Sequence, residues 1–318
     1  MADNLAMNVP ENWKENIRDC FLSTFLGTPE EIQKANADLD YAYHYYAPAR
    51  LYKFFGPDLE RFESVKNNKF WYSAPSRFND PYDSDFPVNQ DLFFNSLVRQ
   101  KTQEKGIRVG STAWKEMQAE TPKIAKQVRQ SLDEIRRKTA ITCFSEDDDS
   151  QLMWTHYAYD HRGISVAYDL IKIYYELKIC PIPVVYSKDR VCLTSIDLND
   201  VNTSSLSFLA GSLTSKSPEW SYETEWRLIQ NESLYGSDWD AKKGGGLLPG
   251  VKPAAITFGC AVDRNGEFAQ EVEAYCRENS VDLYKMEKHP TEYRLIKTPV
   301  LTFEAQEHVC VLPPAVII

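Results

Sequence analysis

Two glutamates and an arginine alternate in the segment Glu223-Thr224-Glu225-Trp226-Arg227. Alternate residues of a strand share one face, so Glu223, Glu225 and Arg227 are predicted to lie together. Two carboxylates in different surroundings can divide acid–base and positioning roles between them. The alternative is a solvated strand face with an Arg–Glu bridge. Trp220 and Tyr222 just upstream favour the chemical interpretation, because large rings are uncommon at a solvated edge.

His156 is one of five histidines and lies between two aromatic residues, Trp154 and Tyr157. An imidazole in such surroundings can transfer protons near neutral pH or stack on a ligand. The alternative, of equal weight, is a core histidine that donates to a carbonyl group. His156 and His161 do not predict a metal site, because no third ligand stands at a suitable spacing.

A turn-rich segment after an aromatic strand contains Asn79, Asp80 and Asp83. Asn and Asp before a proline commonly bond their own backbone, and such a turn is the preferred interpretation. The alternative is that a carboxylate there orients a base, a ribose hydroxyl or a metal ion. Lys53, on the short strand Tyr52-Lys53-Phe54, is expected either to contact a phosphate or to extend its ammonium group to solvent.

The elements that must position these residues are of both types and are irregularly interspersed. We therefore predict an α+β fold, with a mixed, mainly antiparallel sheet, flanking helices and an N-terminal helical extension. The capping-box pattern Thr28-Pro29-Glu30-Glu31 predicts a helix start within that extension. The segment Glu223–Ile229 is predicted to be a strand. The expected boundaries are 1–50 for the extension, 51–300 for the main domain and 301–318 for a C-terminal tail or edge strand.

Composition limits the classes of function. The chain has 318 residues and a net charge of -10, so it has no overall attraction for a polyanion. No apolar run reaches the length needed to cross a bilayer and no signal-peptide pattern opens the chain, so a cytoplasmic protein is expected. The seven cysteines are scattered and are expected to be reduced thiols. Cys143 is expected to be buried in its apolar strand.

Several of these segments, in this order, resemble one bacterial family, the proteins grouped as domain of unknown function 2971. The resemblance covers roughly residues 50–230 and implies no settled activity. The segments that carry it are Tyr52-Lys53-Phe54, Trp71-Tyr72-Ser73-Ala74-Pro75, Phe78-Asn79-Asp80-Pro81-Tyr82-Asp83, Cys143-Phe144-Ser145, Met153-Trp154-Thr155-His156-Tyr157-Ala158, His161-Arg162-Gly163, and Lys216 with Trp220, Tyr222-Glu223, Glu225 and Arg227.

The layout is also similar, more distantly, to ADP-ribosyltransferases, many of which have a Glu-x-Glu pair on a late strand. This resemblance implies that NAD is the substrate, that Glu225 grips the nicotinamide ribose and that Glu223 activates an acceptor. A carboxylate beside the ribose stabilises the oxocarbenium-like centre that forms as nicotinamide leaves. The sequence departs from that pattern on the first strand, where Lys53 or Tyr52 replaces the usual histidine or arginine.

The predicted catalytic residues are Glu225, Glu223 and His156. Ligand binding is assigned to Tyr52, Lys53, Tyr72, Ser73, Asn79, Asp80, Trp154, Tyr157, Trp220, Tyr222 and Arg227. Tyr72, Trp154 and Tyr222 are expected to stack on nicotinamide or adenine. Either Tyr72 or Ser73 takes the place of the serine or tyrosine usual on the second strand of ADP-ribosyltransferases.

Three functions compete. The first is a transferase or glycohydrolase that uses NAD without a metal, such as a toxin or phage-defence effector with a protein or nucleic-acid acceptor. The second is a non-enzymatic ligand sensor or interaction module. The third is a metal-dependent hydrolase of a nucleotide or nucleic acid, with magnesium held by Asp80, Asp83, Glu223 and Glu225. No membrane partner is expected, and the oligomeric state is left open.

Overall fold

A computed structural model describes residues 9–197, 200–231, 239–240 and 242–303. The helices in this part of the chain are α1 (Trp13–Leu26), α2 (Pro29–Tyr45), α3 (Leu59–Lys66), α4 (Gln90–Lys105), α5 (Thr112–Arg137), α6 (Gln151–Tyr157), α7 (Leu170–Leu177), α8 (Val201–Leu213) and α9 (Glu267–Asn279). Two 3-10 helices span Pro75–Arg77 and Pro218–Glu223. The strands are β1 (Arg50–Phe55), β2 (Lys69–Ser73), β3 (Thr139–Ser145), β4 (Ile164–Asp169), β5 (Ile182–Pro183), β6 (Val185–Tyr186), β7 (Ser215–Lys216), β8 (Glu225–Asn231), β9 (Trp239–Asp240), β10 (Gly245–Pro249), β11 (Ala255–Phe258), β12 (Asp282–Lys288) and β13 (Leu295–Leu301).

Eleven of these strands form one mixed sheet. Its main path runs β13-β12-β11-β4-β1-β3-β2-β10-β9, and β8 and β5 continue from β3. Strands β11 and β12 pair in parallel, whereas the other described pairs of this sheet are antiparallel. Strands β6 and β7 form a separate parallel pair. The predicted α+β fold with a mixed, mainly antiparallel sheet is confirmed.

Strand β3 is the branch point of the sheet. Its full length pairs with β8, whereas β1 pairs with it at Ser145 and β2 pairs with it at Ile141. Strand β1 then continues along β4. Because β1 leaves β3 after the single pair Tyr52–Ser145, a gap opens between the two strands beside Lys53 and Phe54.

The N-terminal helices share the main hydrophobic core with the sheet. Helix α1 buries Ile17 there and α2 buries Leu39 and Tyr43, together with sheet residues. The ring of Trp13 lies 6.1 Å from that of Trp226 on β8, centroid to centroid. The helical extension is thus packed against the strand that carries the Glu-x-Glu segment.

Helices α4, α5 and α8 enclose a second, smaller core beside the sheet, in which Phe86 and Phe93 are buried. From α5, Arg136 donates to the Ser84 carbonyl group at 3.1 Å and Arg129 donates to the Phe86 carbonyl group. Helix α5 therefore holds the loop that follows β2 and its 3-10 turn.

Two predictions concern the ends of the chain, the capping box near the N-terminus and the C-terminal tail. The capping box at the start of α2 is confirmed, because the Thr28 hydroxyl accepts from the Glu31 backbone N–H and the Glu31 carboxylate accepts from the Thr28 backbone N–H. The predicted C-terminal tail lies outside the described residues from position 304 onward. None of the described helices combines the length and the apolar character needed to cross a membrane.

Candidate active site

A cavity of about 190 Å³ lies at the gap between β1 and β3. It is walled by these two strands, by the loop after β2, by α6 and by the segment that leads into β8. The residues that line it are Tyr52, Lys53, Phe54, Phe78, Asn79, Asp83, Cys143, Phe144, Ser145, Met153, Tyr157, Lys216, Glu223 and Glu225. Aromatic rings and ionisable groups thus share one small space.

Arg227 organises the carboxylates behind the cavity and is fully buried. Its Nη1 and Nη2 donate to the two oxygens of Asp83 at 2.9 and 2.6 Å. Its Nε and Nη2 donate to the two oxygens of Glu225 at 2.8 and 3.0 Å, and Nη1 also donates to the Leu213 carbonyl group at 2.7 Å. All five guanidinium N–H groups are therefore used, and both carboxylates are held in fixed orientations.

Lys216 joins the same carboxylates from the side of the cavity. Its ammonium group lies 2.5 Å from Glu223 Oε2, 3.1 Å from Glu225 Oε2 and 3.7 Å from Asp83 Oδ2. The ammonium group also lies 4.8 Å from the ring centroid of Trp220, within the range of a cation–π contact. One lysine thus bridges the two glutamates of the Glu-x-Glu pair.

The two glutamates have pKa values displaced in opposite directions. Burial alone raises the pKa of Glu225, but the charges of Arg227 and Lys216 outweigh burial and lower it to about 2. Burial raises the pKa of Glu223, the charge of Glu225 raises it further, and the contacts with Lys216 and Tyr157 only partly offset these effects. Glu225 therefore stays ionised, whereas Glu223 is the carboxylate able to exchange a proton.

Tyr157 and Asn79 continue the network from Glu223 across the cavity. The Tyr157 hydroxyl donates to Glu223 Oε1 at 2.5 Å, and Asn79 Nδ2 donates to the Tyr157 oxygen at 3.4 Å. Burial, followed by the contact with Glu223, raises the pKa of Tyr157. The Tyr157 hydroxyl therefore stays protonated and can donate a hydrogen bond.

Lys53 fills the gap that the divergence of β1 and β3 creates. Its ammonium group donates to Thr142 Oγ1 at 2.8 Å and to the Cys143 carbonyl group at 3.0 Å. Burial lowers the pKa of Lys53. Cys143 was expected to be buried, but it is half-buried and lines the cavity. Because burial raises the pKa of its thiol well above the ordinary value, Cys143 stays protonated.

The predicted start of the last site strand is wrong by two residues. Glu223 ends the 3-10 helix Pro218–Glu223, and the strand begins at Glu225. Between them Thr224 has a φ of 41°, and its side chain lies 3.1 Å from the Ser145 hydroxyl. This left-handed residue breaks the strand alternation that placed both glutamates on one face. Their side chains meet because Lys216 bridges them.

The structure brings six of the predicted site residues together at the cavity. They are Glu223, Glu225, Tyr52, Lys53, Asn79 and Tyr157. Arg227 lies directly behind them, bound to Glu225. Segments more than 140 residues apart in the chain therefore converge, as the contact between Asp83 and Arg227 shows.

Other predicted residues lie away from the cavity wall. Tyr72 and Trp154 are fully buried core residues, and the Trp154 ring meets Phe54 edge to face. Asp80 is buried and accepts from the Tyr82 backbone N–H, as the turn interpretation expected. Ser73 Oγ accepts from Trp71 Nε1.

His156 also lies outside the cavity lining. Its exposed ring is 6.0 Å from that of Tyr222, centroid to centroid, on the outer side of the contact between α6 and the second 3-10 helix. Trp220 in turn lies 6.2 Å from Tyr222. Together these rings form a patch adjoining Lys216. Within the described part of the chain, no hydrogen bond or ion pair joins His156 to Glu223 or Glu225.

Sequence reasoning gave no role to Lys216, which the structure places at the centre of the site. No spacing rule links a lysine on a two-residue strand to carboxylates seven and nine positions later. Asp83 and Glu225, two of the four carboxylates suggested as magnesium ligands, each form ion pairs with Lys216 and Arg227. Within the described ranges no three His, Cys, Asp or Glu side chains are grouped so that they could hold a metal ion.

One protein-family model matches part of the chain that forms this site. Residues 153–228 match the model of a family described as "Protein of unknown function (DUF2971)". The predicted resemblance to that family is confirmed over this segment, which runs from α6 into β8 and contributes Tyr157, Lys216, Glu223 and Glu225 to the cavity. Neither a curated protein nor a solved structure matches the chain. The similarity to ADP-ribosyltransferases stays a prediction.

Proposed function

We propose that this protein cleaves the bond between nicotinamide and ribose in NAD and transfers ADP-ribose to water or to another acceptor. The observation that carries the proposal is geometric: Glu223 and Glu225 meet at the wall of one aromatic cavity and are held by the same lysine. Two carboxylates that share a site and have pKa values displaced in opposite directions are a common arrangement for breaking a glycosidic bond.

Each glutamate has a distinct part in this reaction. As the bond between C1′ and the pyridine nitrogen breaks, its electron pair goes to the nitrogen, nicotinamide leaves neutral and positive charge develops on the ribose. The ionised carboxylate of Glu225 stabilises that charge. The acceptor O–H then attacks C1′, and its proton passes to Glu223, the carboxylate with the raised pKa.

The surrounding residues support the same assignment. Arg227 and Lys216 fix both carboxylates before the substrate arrives, so little reorganisation is needed as charge develops. Tyr52, Phe54, Phe78 and Phe144 supply flat apolar surface at the cavity. The cavity is smaller than the roughly 300 to 1,000 Å³ of a pocket that takes a whole ligand, which suits one ring system of a dinucleotide.

We propose that the reaction takes place in the cytoplasm. Six cysteines in the described part of the chain are free thiols. Free thiols persist in a reducing compartment, whereas oxidising compartments favour disulfides.

The test compares the full-length protein with its Glu225→Gln variant. Chromatography measures the nicotinamide that each protein releases from NAD. We expect release by the wild type and a loss of about 100-fold in rate in the variant, because one charge-stabilising group is removed. Glu219→Gln is the matched control, since Glu219 stands on the 3-10 helix that leads to the strand of Glu225 but is exposed. Its rate should equal that of the wild type.

A folding check accompanies this test, because removing one charge from a buried pair commonly costs about 3 to 5 kcal/mol. Glu223→Gln is the second variant, since Glu223 contacts Lys216 and Tyr157 rather than the buried arginine. Thermal unfolding shows which variants are folded. If the folded wild type neither binds NAD nor releases nicotinamide, the proposal is wrong and a non-enzymatic ligand-binding role is favoured.

A further inference from the structure

A second cavity, of about 340 Å³, adjoins the first. Lys216 lines both cavities. The loop after β2 runs between them, because Asp83 lines the first cavity whereas Tyr82 and Asp85 line the second. A ligand that occupied both cavities would therefore pass directly beside Lys216.

The second cavity has an excess of cationic side chains. Lys188 and Arg190 line it, and among the described residues Lys188 has no ion-pair partner. Two acidic residues, Asp85 and Asp189, line it against the three cations Lys188, Arg190 and Lys216. Asp85 is bound at 2.7 Å by Arg190 and at 2.9 Å by Arg129 from α5, so an additional cation outside the lining also offsets its charge. This local excess contrasts with a chain whose net charge is -10. Such a site attracts anions.

An aromatic platform stands beside these cations. The side chain of Tyr82 is 62% exposed, which is unusual for a large ring in a loop anchored at both ends. The Arg190 guanidinium lies 5.1 Å from the centroid of the Tyr82 ring. A ring backed by an arginine is a surface on which a nucleobase can stack.

From these features we infer that the second cavity binds the ADP half of a dinucleotide, with the pyrophosphate at Lys188 and Arg190 and the adenine on Tyr82. The inference rests on the proposed function, which places the nicotinamide ribose in the first cavity. In NAD that ribose is joined to the pyrophosphate through a single methylene group, so a phosphate site must adjoin the ribose site. The two cavities meet this requirement at Lys216.

The test measures binding of ADP and of inorganic pyrophosphate to the full-length protein by calorimetry, at low salt because phosphate contacts are screened. Lys188→Ala and Arg190→Ala should each weaken both ligands by about 10-fold, since each removes a charged donor. Tyr82→Ala should weaken ADP by about 10-fold and leave pyrophosphate unchanged, because only ADP has a base to stack.

Matched controls are Lys123→Ala, an exposed lysine of α5, and Tyr293→Ala, a fully exposed tyrosine, and both should bind like the wild type. Lys188 has no described partner, so its variant should fold normally. The inference is overturned if ADP shows no saturable binding, or if Lys188→Ala and Arg190→Ala both bind ADP as the wild type does.

These outcomes are separable from those of the proposed reaction, because binding of ADP needs no turnover. If ADP binds as expected but no nicotinamide is released from NAD, the proposed reaction is wrong, whereas the assignment of an ADP site to the second cavity is retained. If nicotinamide is released but ADP does not bind, the reaction stands and the second cavity has been misassigned.

Discussion

Arg227 and Lys216 show how single residues create the site. A fully buried arginine is costly unless every donor is paired, and Arg227 meets this condition with two carboxylates and one carbonyl group. Its charge, with that of Lys216, is what keeps Glu225 ionised inside the protein. Glu223 is bound by Lys216 and Tyr157 rather than by Arg227, and its pKa is raised. The two pKa values therefore differ because Arg227 binds Glu225 directly, whereas burial and the charge of Glu225 raise the pKa of Glu223.

The pH dependence of the reaction should reveal Glu223. Glu223 must be ionised to accept a proton, so kcat/KM should rise with pH through an apparent pKa above the ordinary value of 4.5. In Glu223→Gln this acidic limb should disappear and the remaining rate should be low and flat. An unchanged acidic limb in the variant would assign the base to another residue.

The same displaced pKa affects stability, which provides a readout that is independent of turnover. A carboxyl group with a raised pKa in the folded state contributes stability while it is protonated, and that contribution is lost as pH rises through the folded-state pKa. Urea unfolding should therefore show the wild type losing stability relative to Glu223→Gln as pH rises from 4.5.

At the scale of elements, the divergence of β1 from β3 forms the cavity, and its position depends on close packing of β1 against the start of β4. A Cβ atom on Gly163, just before β4, would lie 1.9 Å from the Phe55 carbonyl oxygen at the end of β1. The glycine thus permits an approach that sets where Lys53 and Phe54 stand. The 3-10 helix Pro218–Glu223 and the left-handed Thr224 determine the direction in which the chain enters β8.

Gly163→Ala should destabilise the fold by about 3 kcal/mol, because the clash is with backbone and cannot be relieved by a rotamer change. Urea unfolding followed by fluorescence measures the loss. Gly211→Ala, within α8, is the control: the nearest atom to its Cβ is 3.9 Å away, so alanine should keep or raise stability. Equal stability of Gly163→Ala and the wild type would contradict the close approach.

At the scale of the whole molecule, the N-terminal helices and the site strand stabilise one another. Helix α1 contacts β8 through Trp13 and Trp226, and Lys14 of the same helix binds Glu146 at 2.5 Å. Glu146 in turn accepts from Trp226 Nε1 at 2.7 Å. The helical extension, which lies outside the segment shared with the family, thus supports the outer face of the strand whose residues Glu225 and Arg227 form the site.

Trp13→Ala should lower the free energy of unfolding by about 2 kcal/mol, because it removes a large ring from a partly buried contact with Trp226. Chemical denaturation with a fluorescence readout measures the change. Val109→Ala, at a position that is 81% exposed, should leave stability within about 0.5 kcal/mol of the wild type. A stability equal to that of the wild type in Trp13→Ala would mean that the extension folds independently of the sheet.

Local patterns in the sequence were sufficient for the element types and for many of the site residues. The capping residues of α2, the alternation that continues through β8 and the polar loop containing Asn79 and Asp83 depend on neighbours a few positions away. Lys53, Glu223 and Glu225 were identifiable because they are charged side chains that stand among aromatic residues in the sequence. Such signals need only short-range steric and hydrophobic effects, which the chain carries locally.

The tertiary structure alone decided which of these side chains meet. The pairing of Arg227 with Asp83 joins residues 144 positions apart, and Lys216 reaches the glutamates only because a 3-10 helix and a left-handed threonine reverse the chain between them. The opposite pKa displacements of Glu223 and Glu225 arise from those contacts and from burial, neither of which a periodic pattern encodes. His156 is separated from the cavity for the same reason: Met153 and Tyr157 on α6 line the cavity, while His156 on the same helix is exposed.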